Sequence, residues 1–128
     1  MLASDLSNFF VYLFVSVHKV DGVRRLAAHS HLPLYVSGGQ DGAVAIWEWS
    51  HNQTVATVRP SGIYAKVNRI VFSQQGNKFG VCDGDGNLAL WQAANTSQPF
   101  FNLQCHSRNT ADFIFQVGII VYCQYGFN

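Results

Sequence analysis

Two stretches of this 128-residue chain are copies of one another, 44 residues apart without a gap, and that repeat constrains the fold more than any other feature. Val23-Arg24-Arg25-Leu26 lies over Val67-Asn68-Arg69-Ile70, Asp41-Gly42 over Asp85-Gly86, and Val44-Ala45-Ile46-Trp47 over Leu88-Ala89-Leu90-Trp91. Each copy breaks into short apolar runs separated by turn residues: VRRLAA, LYVSGG and AVAIWEW, then VNRIVF, KFGVCD and NLALWQ. TVATVR and FFNLQ supply a fourth strand in each. The runs are too short for helices, and Asp-Gly before each third run is a hairpin signal, because glycine accepts a positive φ. The 14% aromatic content, with eleven Gly against three Pro, suits short strands and tight turns better than a helix bundle.

A four-stranded unit recurring at about 40–45 residues, with an Asp-Gly turn and a tryptophan closing the third strand, is the signature of a propeller blade. The pattern D-G-x-(V/L)-x-(I/L)-W occurs at Asp41 to Trp47 and again at Asp85 to Trp91, and it resembles the WD-repeat family. The expected fold is all-β, a partial β-propeller with two four-stranded WD-type blades in 18–61 and 62–105 and the start of a third in 106–116. The resemblance implies a hydrogen-bonded series in each blade, from a His before the first strand through a Ser on the second and an Asp in the turn to the closing Trp. In the first repeat these are His18, Ser37, Asp41 and Trp47. The second repeat keeps Asp85 and Trp91 but has Gly62 and Val81 in the His and Ser slots, so its network is expected to be weaker. His106 opens a third repeat whose first strand is expected at 110–115, after which no Asp-Gly turn or closing Trp follows.

Three stretches carry a closer resemblance: LPLYVSGGQDGAVAIWEW (32–49), QGNKFGVCDGDGNLALWQ (75–92) and QCHSRNTADFIF (104–115) look like the C-terminal propeller of DmX-like proteins, the rabconnectins. The resemblance runs over about residues 23–116. It implies a very large cytoplasmic scaffold that acts on endomembranes and vesicles and promotes assembly and activity of the vacuolar proton-pumping ATPase. The partners it implies are subunits of that pump and other members of the same complex, with membrane association peripheral and through partners.

Residues 1–17 and 117–128 do not match that pattern. FFVYLFVSV (9–17) reads either as the outer strand of a preceding blade or as a translated pyrimidine tract. Ser16-Val17 can be encoded with an acceptor AG and Gln116-Val117 with a splice-donor sequence. The alternative to a scaffold fragment is therefore a truncated gene product without independent stable function.

A formal charge of +1, from eight Lys and Arg against seven Asp and Glu, draws the chain to neither nucleic acid nor acidic membranes. Cys82, Cys105 and Cys123 are odd in number and lack CxxC spacing, which fits reduced cytosolic thiols. The apolar run at 9–17 is about half of the roughly 20 residues a spanning helix needs, and it lacks the basic flank of a signal peptide. His29, His31 and His51 match no metal-ligand spacing, and the adjacent Cys105 and His106 would point oppositely in an extended chain. SGGQDG (37–42) precedes a strand and lacks GK(S/T), so it reads as a hairpin rather than a phosphate loop. With no nucleophile motif either, the expectation is a non-enzyme with no cofactor. Arg25, Arg69, Tyr64 and Lys66, with Arg24 and Arg108, fall on or just before first strands near the rim, where they are candidates for partner contact. Trp49 shares the face of Trp47 and is expected in the core.

Overall fold

The computed structural model describes residues 22–48, 53–58, 65–116 and 119–125, with 53–58 and 119–125 described by their backbone. Ten strands follow in order: β1 Val23–Ala28, β2 Leu34–Gly39, β3 Val44–Glu48, β4 Gln53–Val58, β5 Val67–Phe72, β6 Lys78–Asp83, β7 Asn87–Gln92, β8 Phe101–Gln104, β9 Thr110–Gln116 and β10 Ile119–Tyr125. They form two four-stranded antiparallel sheets, β1-β2-β3-β4 and β5-β6-β7-β8, and a two-stranded sheet of β9 and β10. The chain is thus all-β, two complete blades and the start of a third. Residues 9–17, His18, Trp49, His51 and Tyr64 lie outside the described residues.

The repeat is legible in the register. Val23 pairs with Gly39 and Arg25 with Gly38, which leaves Arg24 as the extra residue of a β-bulge. Val67 pairs with Asp83 and Arg69 with Cys82, which leaves Asn68 in the same position. The period shifts further along. Val44 pairs with Val58 but Leu88 with Leu103, so the fourth strand of the second blade is paired one residue later than the repeat. β9 then comes one residue earlier than the 44-residue period, with Thr110 and Phe113 in the buried places that Val67 and Ile70 hold in β5.

The third sheet carries one strand more than the sequence pattern marks. β10 pairs antiparallel with β9, joining Thr110 to Tyr125 and Asp112 to Gln124, so Ala111 occupies the bulge position of Arg24 and Asn68. Its sequence, IIVYCQY, is rich in the β-branched and aromatic residues that favour strands, although it lacks the family's residues.

Alternation sorts each sheet into two faces. Val36, Val44 and Ile46 of the first blade pack with Val67, Ile70, Phe79, Val81, Ala89 and Trp91 of the second. The opposite face of the second blade buries Cys82, Leu88 and Leu90 against Phe113 of β9. A Cβ at Gly38 would meet Val67 and Ile70, and one at Gly80 would meet Phe113, so glycine lets the sheets approach at both seams. Full burial of each large apolar side chain contributes about 1.5–3 kcal/mol, which makes these seams the principal source of stability.

Candidate functional site

In the first blade the indole Nε1 of Trp47 donates to Ser37 Oγ at 2.7 Å, with both residues fully buried. Asp41 closes the turn by accepting from the Ala43 amide at 3.1 Å. In the second blade Val81 stands where Ser37 does, and the buried Nε1 of Trp91 has no hydrogen-bond partner. That ring is instead stacked on Phe79, with centroids 5.2 Å apart and planes 10° from parallel. A buried donor without an acceptor costs about 1–3 kcal/mol. Val81→Thr, which places a hydroxyl where Ser37 has one, is therefore expected to raise stability by about 1 kcal/mol in urea unfolding. The same change at Val36, where no donor waits, is expected to lower it by roughly 1–3 kcal/mol.

The turn of the second blade is built differently from the first. Asp83, almost fully buried at the end of β6, accepts from the amides of Asp85 at 2.9 Å and Asn87 at 3.1 Å. Both of its oxygens also accept from Asn87 Nδ2, at 3.2 and 3.3 Å. Asp85, the residue expected to anchor this turn, is half-buried, and its backbone carbonyl accepts from Gln104 Nε2 at 3.1 Å. The signal for Asp83 was present in the spacing of Asp83, Asp85 and Asn87, which places side-chain acceptor and amides two and four residues apart. His106, half-buried, meets this turn through its backbone, its amide donating to Gly86 O at 3.3 Å.

Burial pushes the Asp83 carboxyl above its ordinary value of 3.8, against the pull of hydrogen bonds from Asn87 and Asp85. The folded state therefore holds this proton more tightly than the unfolded chain. Stability from the group falls as pH rises from about the unfolded value through the raised folded one, and is level beyond it. Asp83→Asn, which keeps an oxygen for the two amides, is expected to flatten that part of the curve. A variant that kept the full slope in thermal melts across the acid range would assign it to another group.

The first strands carry an arrangement that only the structure reveals. Arg24, re-aimed by its bulge, donates from Nε to Val67 O of the next blade at 3.0 Å and from Nη1 to Gln40 Oε1 at 3.2 Å. Asn68, in the same bulge position one blade on, donates from Nδ2 to Thr110 O at 2.9 Å and to Asn109 Oδ1 at 2.6 Å. In each case the second residue of one first strand fastens the first residue of the next. Arg25 and Arg69 sit beside these locks: Arg25 Nε donates to Asn68 O at 2.7 Å, and Arg69 Nε lies 3.4 Å from Asp112 Oδ1. The second pair is about half exposed on both sides, so its contribution is below about 1 kcal/mol. The two arginines expected as partner contacts thus also bridge blades. Lys66 is half-buried, its carbonyl accepting from the Gly84 amide at 2.9 Å, and Arg108 is exposed.

His29 fastens the opposite rim. Its Nδ1 accepts from the amides of His31 at 3.0 Å and Leu32 at 2.9 Å, which leaves Nε2–H to donate to Gly76 O of the next blade at 2.9 Å. The ring also meets Phe72 edge-on at 5.3 Å. A groove of about 460 Å³ opens beside it, lined by His29, His31, Leu32, Gln75, Asn77 and Ala93 among others. Among the described residues no group of three or more His, Cys, Asp or Glu is placed to share a metal ion.

Antiparallel four-stranded sheets, each with a turn at Asp-Gly and a buried tryptophan on the third strand, and with their first strands fastened side by side, define WD-type propeller blades. The fold is a partial β-propeller of WD type, and the sequence is similar to that of the DmX-like proteins. It is 39% identical to human DmX-like protein 1 over 104 residues, covering 75% of this chain and 3% of that protein. The mouse DmX-like protein 1 is 38% identical over 104 residues with the same coverage. The chain therefore spans about 3% of the length of the curated relatives it matches. In shape it resembles the crystal structure of Chaetomium thermophilum Sqt1, with a TM-score of 0.64 over 73% of this chain and 27% of that one. At 18% identity this is a likeness of fold. Comparison with protein-family models gives no match.

Proposed function

We propose that these blades form one sector of a protein-interaction scaffold of the DmX-like kind. It works in the cytoplasm, peripherally on endomembranes or vesicles, where it supports assembly of the vacuolar proton-pumping ATPase. The observation that carries the scaffold reading is the use to which the chain puts its buried and half-buried polar groups. Ser37 with Trp47, Asp83 with Asn87, and Arg24 and Asn68 with neighbouring carbonyls all hold blades together. The relation to DmX-like protein 1 supports the choice among scaffolds. Partners on this reading are proteins, pump subunits foremost, without nucleic acid. No helix among the described residues is long and apolar enough to cross a membrane, and membrane attachment is proposed to pass through those partners.

The test is sedimentation of the purified chain with the detached cytosolic sector of the pump. Co-sedimentation that weakens several-fold in Lys66→Glu is the expected result. A chain that unfolds cooperatively yet stays entirely in the free fraction would overturn the pump assignment. The exposed Phe101 and Leu103 of β8 favour a second reading, a product without stable function of its own. That reading requires the absence of a cooperative unfolding transition.

A further inference from the structure

The rim opposite the Arg24 and Asn68 locks is fastened by a titratable side chain. His29, half-buried in the β1–β2 turn, accepts at Nδ1 from the amides of His31 at 3.0 Å and Leu32 at 2.9 Å. Backbone amides only donate, so Nδ1 carries no proton and the ring's single N–H is on Nε2. That N–H donates to Gly76 O, in the β5–β6 turn of the second blade, at 2.9 Å. A Cβ on Gly76 would strike the same ring, so the close approach depends on glycine. All three bonds therefore require the neutral ring in one tautomer.

A second proton on Nδ1 sets an N–H against two other N–H groups. Both bonds within the turn are then lost, and with them the support that aims the ring at Gly76. Nothing nearby offsets the added charge. On its own turn the ring meets His31 edge-on, with centroids 5.5 Å apart, and protonation of that imidazole adds a like charge. From β5 it meets the edge of Phe72, and the β5–β6 turn brings only the uncharged Gln75, Gly76 and Asn77. Uncharged Gln92 stands across the groove. Among the described residues the charged groups at this rim are Glu48, which ends β3, and Lys78, which starts β6; neither lines the groove.

We propose that His29 is a proton-operated clasp between the two complete blades. The neutral ring ties the β1–β2 turn to the β5–β6 turn; the doubly protonated ring releases both, and the groove beside it widens. The Arg24 and Asn68 locks contain no group that titrates in the imidazole range, so the opposite rim stays fastened while this one opens. The inference stands on hydrogen-bond geometry and is independent of the pump.

Nuclear magnetic resonance of the full chain tests this, with the ring nitrogens and backbone amides followed from about pH 8 to about pH 5, a range that brackets imidazole protonation. At the alkaline end His29 is expected to show a bare Nδ1 and a protonated Nε2. As the ring takes its second proton, exchange protection of the His31 and Leu32 amides is expected to fall about tenfold, while protection in β2 and β6 holds. His29→Asn supplies an oxygen that accepts from the same two amides and does not titrate, so its protection is expected to stay level across the range. His31→Asn should keep the wild-type fall. A proton on Nδ1 at the alkaline end, a ring still neutral at about pH 5, or protection that survives the second proton overturns the proposal. So does a fall of equal size in His29→Asn, which would place the titrating group elsewhere. If that variant does not fold, the wild-type ring and amide signals decide between these outcomes.

Discussion

Gly86→Ala is expected to cost more than about 3 kcal/mol, the largest effect of an added methyl group among the described glycines. Gly86 sits at φ +89°, where any side chain is strained, and an added Cβ would collide with the backbone carbonyls of His106 and Arg108. Backbone on the threshold of the next blade cannot move aside as a flexible side chain would. Gly42 is its counterpart at φ +81°, with a Cβ that would lie 2.6 Å from Ala65 O, and Gly42→Ala is expected to be similarly severe. Gly22 separates the two causes, because its φ is +75° but nothing lies within 4 Å of an added Cβ. Gly22→Ala should cost only the backbone strain, about 1–2 kcal/mol. Urea unfolding of the three variants measures the difference. Equal losses at all three would mean that the second-to-third-strand turns do not press on the following blade.

The second large effect is at the seam between the complete blades. Trp91→Ala is expected to cost about 3–5 kcal/mol, since it removes a fully buried indole and leaves Phe79 facing a void. The conservative change separates packing from hydrogen bonding. Trp91→Phe discards an N–H that has no partner, whereas Trp47→Phe discards one bonded to Ser37. Trp47→Phe should be the costlier of the two by about 1 kcal/mol. Equilibrium unfolding monitored by the fluorescence of the remaining tryptophans gives both numbers, and a reversed order would contradict the assignment of the two indoles.

Much of this architecture is legible in the chain because its causes are local. The runs VRRLAA, LYVSGG, VNRIVF, KFGVCD and NLALWQ coincide with β1, β2, β5, β6 and β7, each fixed by alternation and ended by a turn whose chemistry is written in two or three residues. The loss of a partner for Trp91 follows from one substitution, Val81 for Ser, at an equivalent position. What the pattern does not display depends on contacts between blades. Arg24 and Asn68 share nothing but a donor side chain and a place in the repeat, and only the bulge directs them to the neighbouring strand. Asp83 has a Gly39 counterpart in the first copy, so aligning the repeats directs attention to Asp85 instead. β10 lies beyond the recognisable repeat, and its pairing with β9 comes from strand-forming residues rather than from blade signatures.

The central claim is that the two complete blades are one cooperative unit, fastened through their first strands and the Phe79–Trp91 seam. Hydrogen exchange across a urea series measures this most directly. The claim predicts that amides of β2, β3, β5 and β6 exchange with a common opening free energy equal to that of global unfolding. It also predicts that Arg24→Ala lowers that value in both blades together. Separate opening energies for β2–β3 and β5–β6, with the loss in Arg24→Ala confined to one of them, would contradict it.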